Sequence, residues 1–148
     1  MIPNILPTFL IALGGAGGTL LRYWVGLATT RWSNTLPWGT ILINFSGSFA
    51  IALFAALSAT GGRLHVSDTA RLVFMVGICG GYTTFSSFSL QTVDLLQNGH
   101  PGRACLNVGI SIVLGMSAIF LGFLSAQALN QAYHHAVSYT HLTLPTKA

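Results

Sequence analysis

The chain has 148 residues, of which 6 are Lys or Arg and 2 are Asp or Glu, so 5% are charged where a soluble domain carries about a quarter. Hydrophobic residues make up 52%, the mean hydropathy is +0.68, and apolar residues fall in blocks, which excludes an ordinary soluble globule. The net charge of +4 comes from cations scattered singly through apolar sequence, which form no patch or stripe and exclude nucleic acid as a partner.

At 1.5 Å per residue, a hydrocarbon core of about 30 Å takes about 20 helical residues, so four crossings and short connections fill the chain and leave no second domain. The first span is predicted over 5–28. No basic leader segment or small-residue cleavage site accompanies it, so it is read as a retained span and not a signal peptide. It contains Gly14-Gly15-Ala16-Gly17-Gly18, with Gly14 and Gly18 at the spacing that lets helices approach closely. Arg22 is the one full charge well inside a span; it either snorkels to the headgroups or serves function. A polar turn follows, flanked by the interfacial anchors Trp32 and Trp38.

The second span is predicted over 38–59. Asn44, beside Phe45 and Ser46-Gly47-Ser48, is an amide near its middle, which either bonds across a helix interface or lines a polar path. Ser67-Asp68-Thr69 then offers an N-cap for a third span over 70–96. Its centre reads Gly77-Ile78-Cys79-Gly80-Gly81-Tyr82-Thr83-Thr84-Phe85-Ser86-Ser87-Phe88-Ser89. Each glycine costs about 1 kcal/mol relative to alanine in a helix, and hydroxyls compete for the backbone, so the run predicts a helix broken at its centre. Gly77 and Gly81 also suit a tight helix crossing. Backbone freed at that depth has to be buried in protein or line a watery cavity, where its carbonyls can coordinate a cation. Phe85 and Phe88, at i and i+3, share a face; they are either apolar packers or rings whose positive edges offer a weak anion site.

Asn98-Gly99-His100-Pro101-Gly102 is expected to break the chain before a fourth span over 104–129, in which Asn107 and Ser111 share a face. One four-helix transmembrane domain, 1–129, results. Residues 130–148 turn polar and aromatic without periodicity and are expected to be disordered or a read-through scar, with no part in function. Arg63 and Arg71 lie on one side of the membrane and Arg31 and Arg103 on the other, a balance that permits insertion both ways and an antiparallel, dual-topology homodimer.

Enzymatic chemistry lacks parts. The 5 histidines fall in loops or the tail, Glu is absent, and Asp68 and Asp94 stand far from any second carboxylate. Cys79 and Cys105 have no metal-ligand spacing. A small multidrug-type exporter would need an intramembrane carboxylate, and a non-conducting assembly subunit would leave the consecutive hydroxyls unexplained.

The first-span run through Thr19-Leu20-Leu21-Arg22-Tyr23, Asn44 with Ser46-Gly47-Ser48-Phe49, and above all Gly80 to Ser89 resemble the Fluc/CrcB fluoride channels of bacteria, and the likeness covers 5–128. The resemblance implies an all-α integral membrane protein of four transmembrane helices in the inner membrane, assembled as an antiparallel homodimer. It implies passive, fluoride-selective export from the cytoplasm. By position Phe85 and Phe88 correspond to an aromatic box, Asn44 to a pore amide, Ser86, Ser87 and Ser111 to a hydroxyl track, and Arg22 to a vestibule arginine. The carbonyls of Gly80 and Thr83, from both subunits, correspond to a structural sodium site.

Overall fold

The computed structural model describes residues 5–142, with side chains described through Tyr133. Among the described residues, four helical stretches are long and apolar enough to cross a membrane: Ile5–Trp32, Trp38–Leu57, Asp68–Gln97 and Pro101–Tyr133. The first helix, Ile5–Thr29, ends in a 3-10 turn over Thr30–Trp32. The second spans Trp38–Leu57 and stops two residues before the hydropathy boundary, where the chain turns through Gly61 at φ 79°.

The third span begins at Asp68, two residues earlier than hydropathy alone places it, because Ser67 caps it by accepting the Ala70 amide at 3.2 Å. It then changes winding: α-helical over Asp68–Leu72, π-helical over Val73–Cys79, α-helical again over Gly80–Tyr82. Thr83 (φ −76°, ψ 160°) and Thr84 (φ −153°, ψ 117°) are extended, and an α-helix runs on from Phe85 to Gln97. The turn that follows passes through Gly99 at φ 77°, a left-handed conformation that favours glycine.

The fourth helix starts at Pro101, not beyond it. A proline in the first helical turn gives up an N–H that has no partner there anyway, so Pro101 opens the helix where the sequence pattern suggests a breaker. The helix continues to Leu142, through the first part of the segment expected to be an unstructured tail. Asn130, the first residue of that segment, accepts the Arg63 amide on Oδ1 at 3.0 Å and reaches the Ala56 carbonyl at 3.5 Å. It thereby ties the fourth helix to the end of the second. The reading of 143–148 falls outside the described residues.

Two seams hold the bundle together, and both are made of small residues. Ala118, Gly122 and Ala126 recur every four residues on the fourth helix, and both alanines are fully buried. A Cβ on Gly122 would stand 2.7 Å from the Phe49 carbonyl oxygen of the second helix. The first helix meets the π-helical stretch glycine to glycine: a Cβ on Gly77 would lie 2.9 Å from the Ile11 carbonyl, and one on Gly81 would collide with the carbonyl of Gly15. In hydrocarbon, where apolar side chains gain nothing by leaving lipid, such close backbone packing is what drives helix association. The outer face of the first helix, with Leu6, Phe9, Leu13, Leu20 and Trp24 exposed, is suited to lipid.

Candidate functional site

The extended Thr83-Thr84 pair is held by the second helix. Asn44 Oδ1 accepts the Thr84 amide at 2.8 Å and Asn44 Nδ2 donates to the Thr84 carbonyl at 2.9 Å, so one side chain pairs both backbone groups of a residue that is only 7% exposed. In an uninterrupted helix the Thr84 amide would bond to the Gly80 carbonyl. Its diversion to Asn44 leaves that carbonyl without its usual helical donor.

Thr84 also starts the next helix. Its Oγ1 accepts the Ser87 amide at 3.1 Å, an N-cap, and donates to Ser87 Oγ at 3.0 Å. With that single proton committed, the 3.2 Å contact to Ser86 makes Ser86 the donor. Ser86 has therefore spent its proton, whereas Ser87 keeps its own. Asn44 retains one amide N–H of two, and Ser111, half-buried on the fourth helix, forms no hydrogen bond within the described residues. Uncommitted donors thus stand at Asn44, Ser87 and Ser111, although no hydrogen bond links Ser111 to the other two among the described residues.

The Ser87 amide would otherwise bond to the Thr83 carbonyl. That freed oxygen instead accepts Arg22 Nη1 at 3.3 Å. The Gly81 carbonyl receives Thr19 Oγ1 at 3.5 Å. Arg22 therefore sits against the interruption itself. A separate polar cavity of about 680 Å³ opens between the first and third loops, lined among others by Thr30, Ser33, Gln91, Asp94 and Arg103, and its cation is Arg103.

Phe85 is 79% exposed and projects outward from the chain; Phe88 is half-buried, with ring centroids 5.6 Å apart. On the far side of Phe88, Thr92 donates to the Phe88 carbonyl at 2.8 Å and accepts Asn107 Nδ2 at 2.8 Å. Asn107 is completely buried and its Oδ1 has no hydrogen-bond partner among the described residues, so its place is between helices and not on an open surface. Asn107→Leu removes an orphaned acceptor and leaves Thr92 its bond to Phe88, so unfolding measurements are expected to find stability within about 1 kcal/mol of wild type.

Sodium at Gly80 and Thr83 can be tested against these bonds. Among the described residues no group of three or more His, Cys, Asp or Glu could hold a metal, so a cation would rest on backbone oxygen. Gly80 fits: it is exposed and its carbonyl has lost its helical donor. Thr83 fits with a condition, because its oxygen already serves the Arg22 guanidinium and would have to use its second lone pair. Three residues that lie within the quoted runs but receive no role of their own from the sequence, Ser46, Tyr82 and Thr84, hold the interruption in place. Thr84 carries a legible signal, a hydroxyl immediately before a helix start; Ser46 and Tyr82 carry none.

Four apolar spans, one of them interrupted by a hydrogen-bonded polar pair, define a multi-pass membrane protein with a polar centre inside its transmembrane region. Residues 9–123 match the family model described as CrcB-like protein, Camphor Resistance (CrcB). The fluoride-specific ion channel FluC of Methylobacterium radiotolerans is 54% identical over 121 residues, covering 82% of this chain and 85% of that protein. Proteins of the same name from Gluconobacter oxydans (51% over 122 residues, 82% and 85% covered) and Paramagnetospirillum magneticum (50% over 123 residues, 82% and 96% covered) are similar to it as well. The chain belongs to the CrcB family. Its relatives are ion channels and not enzymes, and a bacterial family member with four such spans is a multi-pass inner-membrane protein.

Proposed function

We propose that the protein is a passive, fluoride-selective channel that lets fluoride leave the cytoplasm, working as an antiparallel, dual-topology homodimer. The observation that carries this reading is the Asn44-braced interruption at Thr83-Thr84, which leaves hydrogen-bond donors unspent inside a transmembrane span. The names of the relatives supply the ion.

Fluoride is small and strongly hydrated, so a path for it has to replace water by closely spaced donors without binding so tightly that the ion cannot leave. Asn44, Ser87 and Ser111 offer neutral donors. Ser86 helps to hold Thr84, and Phe85 and Phe88 offer ring edges. Both carboxylates, Asp68 at the start of the third span and Asp94 near its end, are exposed and remote from the interruption, which favours passive flow over proton coupling. Arg22 fixes the Thr83 carbonyl and adds positive potential beside the path.

Gly80, Phe85 and Ser86 are exposed on the single chain. Freed backbone and hydroxyls cannot face lipid at that depth, and a second copy laid against this face would cover them. Gly80 and Thr83 of two antiparallel copies would then hold a sodium ion between the chains, supplying positive charge midway between two anion paths.

Fluoride efflux from liposomes carrying the purified protein tests the reading. Wild-type vesicles are expected to release fluoride far faster than chloride, and Phe85→Ile or Phe88→Ile to slow release by about tenfold or more, a barrier change of about 1.4 kcal/mol. Release no faster than from empty vesicles would refute it.

A further inference from the structure

We infer that the Tyr82 and Ser46 hydroxyls form a second lock on the interruption, one that sets where the helix ending at Tyr82 delivers Thr83; the inference rests on the reading of the interruption as part of the ion path. Ser46 Oγ donates its own proton to the Leu42 carbonyl at 2.7 Å, with the Ile43 carbonyl at 3.3 Å. In its 2.9 Å contact with Tyr82 Oη it is therefore the acceptor, and tyrosine donates. A half-buried phenol inside a span would otherwise lack a partner, since the hydrocarbon offers none.

Gly47 makes the lock possible. A Cβ there would stand 3.1 Å from Tyr82 Cδ1 and would collide with the Thr83 methyl group. The glycine thus lets the Tyr82 ring and Thr83 lie flat against the second helix. Asn44 and Gly47, at i and i+3, share one helix face, with Ser46 beside them. Asn44 grips the residue that begins the next helix, Ser46 grips the residue that ends the previous one, and Thr83 hangs between them. Losing the phenol leaves Thr84 anchored but frees the Tyr82 end, and with it the Thr83 carbonyl on which Arg22 rests. Tyr82 is a positioning residue: it acts on the path through Thr83.

Tyr82→Phe, Ser46→Ala and the double variant test this by two measurements on the full chain in liposomes. Amide hydrogen exchange across 80–86 is expected to speed up in all three, and fluoride release per folded protein to fall about 2- to 10-fold, the range a single neutral hydrogen bond carries. The double variant should be no worse than either single one, because both remove the same bond. A tyrosine that merely stabilised the fold would lower the yield and leave release per folded protein unchanged, and that result overturns the proposal. Unchanged exchange in the single variants, or losses that multiply in the double, overturns it too. If Tyr82→Phe does not fold, Ser46→Ala, which keeps the ring on Gly47, decides. Wild-type vesicles that release no fluoride would refute the channel reading, while the exchange arm would still decide the lock.

Discussion

Asn44→Leu is expected to abolish fluoride efflux and to cost about 2–6 kcal/mol of stability, since it strands two buried backbone groups at about 1–3 kcal/mol each. The amide and carbonyl of Thr84 have Asn44 as their partner, and Thr84 is only 7% exposed, so little water reaches the stranded groups. The backbone has one escape, which is to wind Thr84 into a continuous helix and return its amide to the Gly80 carbonyl. That would move Phe85 and Phe88 around the helix axis and remove the freed oxygens together. Asn44→Asp separates the two roles of the side chain. It keeps an acceptor for the Thr84 amide, loses the donor to the Thr84 carbonyl, and puts a negative charge beside the proposed anion path. It is expected to fold better than the leucine variant and still fail to conduct. Efflux assays combined with thermal unfolding in detergent check both; conduction by Asn44→Leu at the wild-type rate would remove Asn44 from the site.

Gly18→Val is expected to prevent assembly of the folded chain, while Gly17→Ala, one residue away, is expected to be tolerated. A Cβ at Gly18 would drive into the Ile78 carbonyl oxygen and stand 2.9 Å from the Tyr82 amide nitrogen. The obstacle is backbone on both sides, so no rotamer relieves it, and overpacking exceeds the usual cost of about 1–3 kcal/mol. Tyr82 and the interruption would be displaced with it. At Gly17 nothing lies within 4 Å of a new Cβ, and alanine gains up to about 1 kcal/mol in helix propensity. The recovered fraction of monodisperse protein is the measurement, and a folded, conducting Gly18→Val would disprove the backbone seam between the first and third spans.

Most of the architecture is legible along the chain because hydropathy is a local property. Each of the four spans needs only its own residues to partition into lipid, and the described residues hold four helices long and apolar enough to cross a membrane. The exceptions have local causes of another kind: Ser67 caps the third span two residues early, and Pro101 opens the fourth helix because its missing N–H costs nothing in a first turn. Asn130 shows the limit of composition as a guide. Polar surroundings mark it as tail, yet its amide bridges to Arg63 and Ala56, partners more than 60 positions away in the chain.

The candidate site divides the same way. Its residue types, hydroxyls, an amide, paired phenylalanines and three glycines in an apolar span, are plain in the sequence, and so is membership of the CrcB family. Which donors remain free is not. Ser86 and Ser87 are equivalent as letters, and only the direction of the Thr84 proton separates a spent hydroxyl from an available one. Arg22 reads as a lone cation within a span until the first helix, brought close by glycines on both sides, sets it on the Thr83 carbonyl. The sequence by itself determined a four-span membrane protein of scarce charge and the kinds of group at its centre, because partitioning and residue chemistry are carried by each segment alone. Only the tertiary structure decided how those groups pair, because a hydrogen bond between helices exists only where packing brings donor and acceptor within about 3 Å.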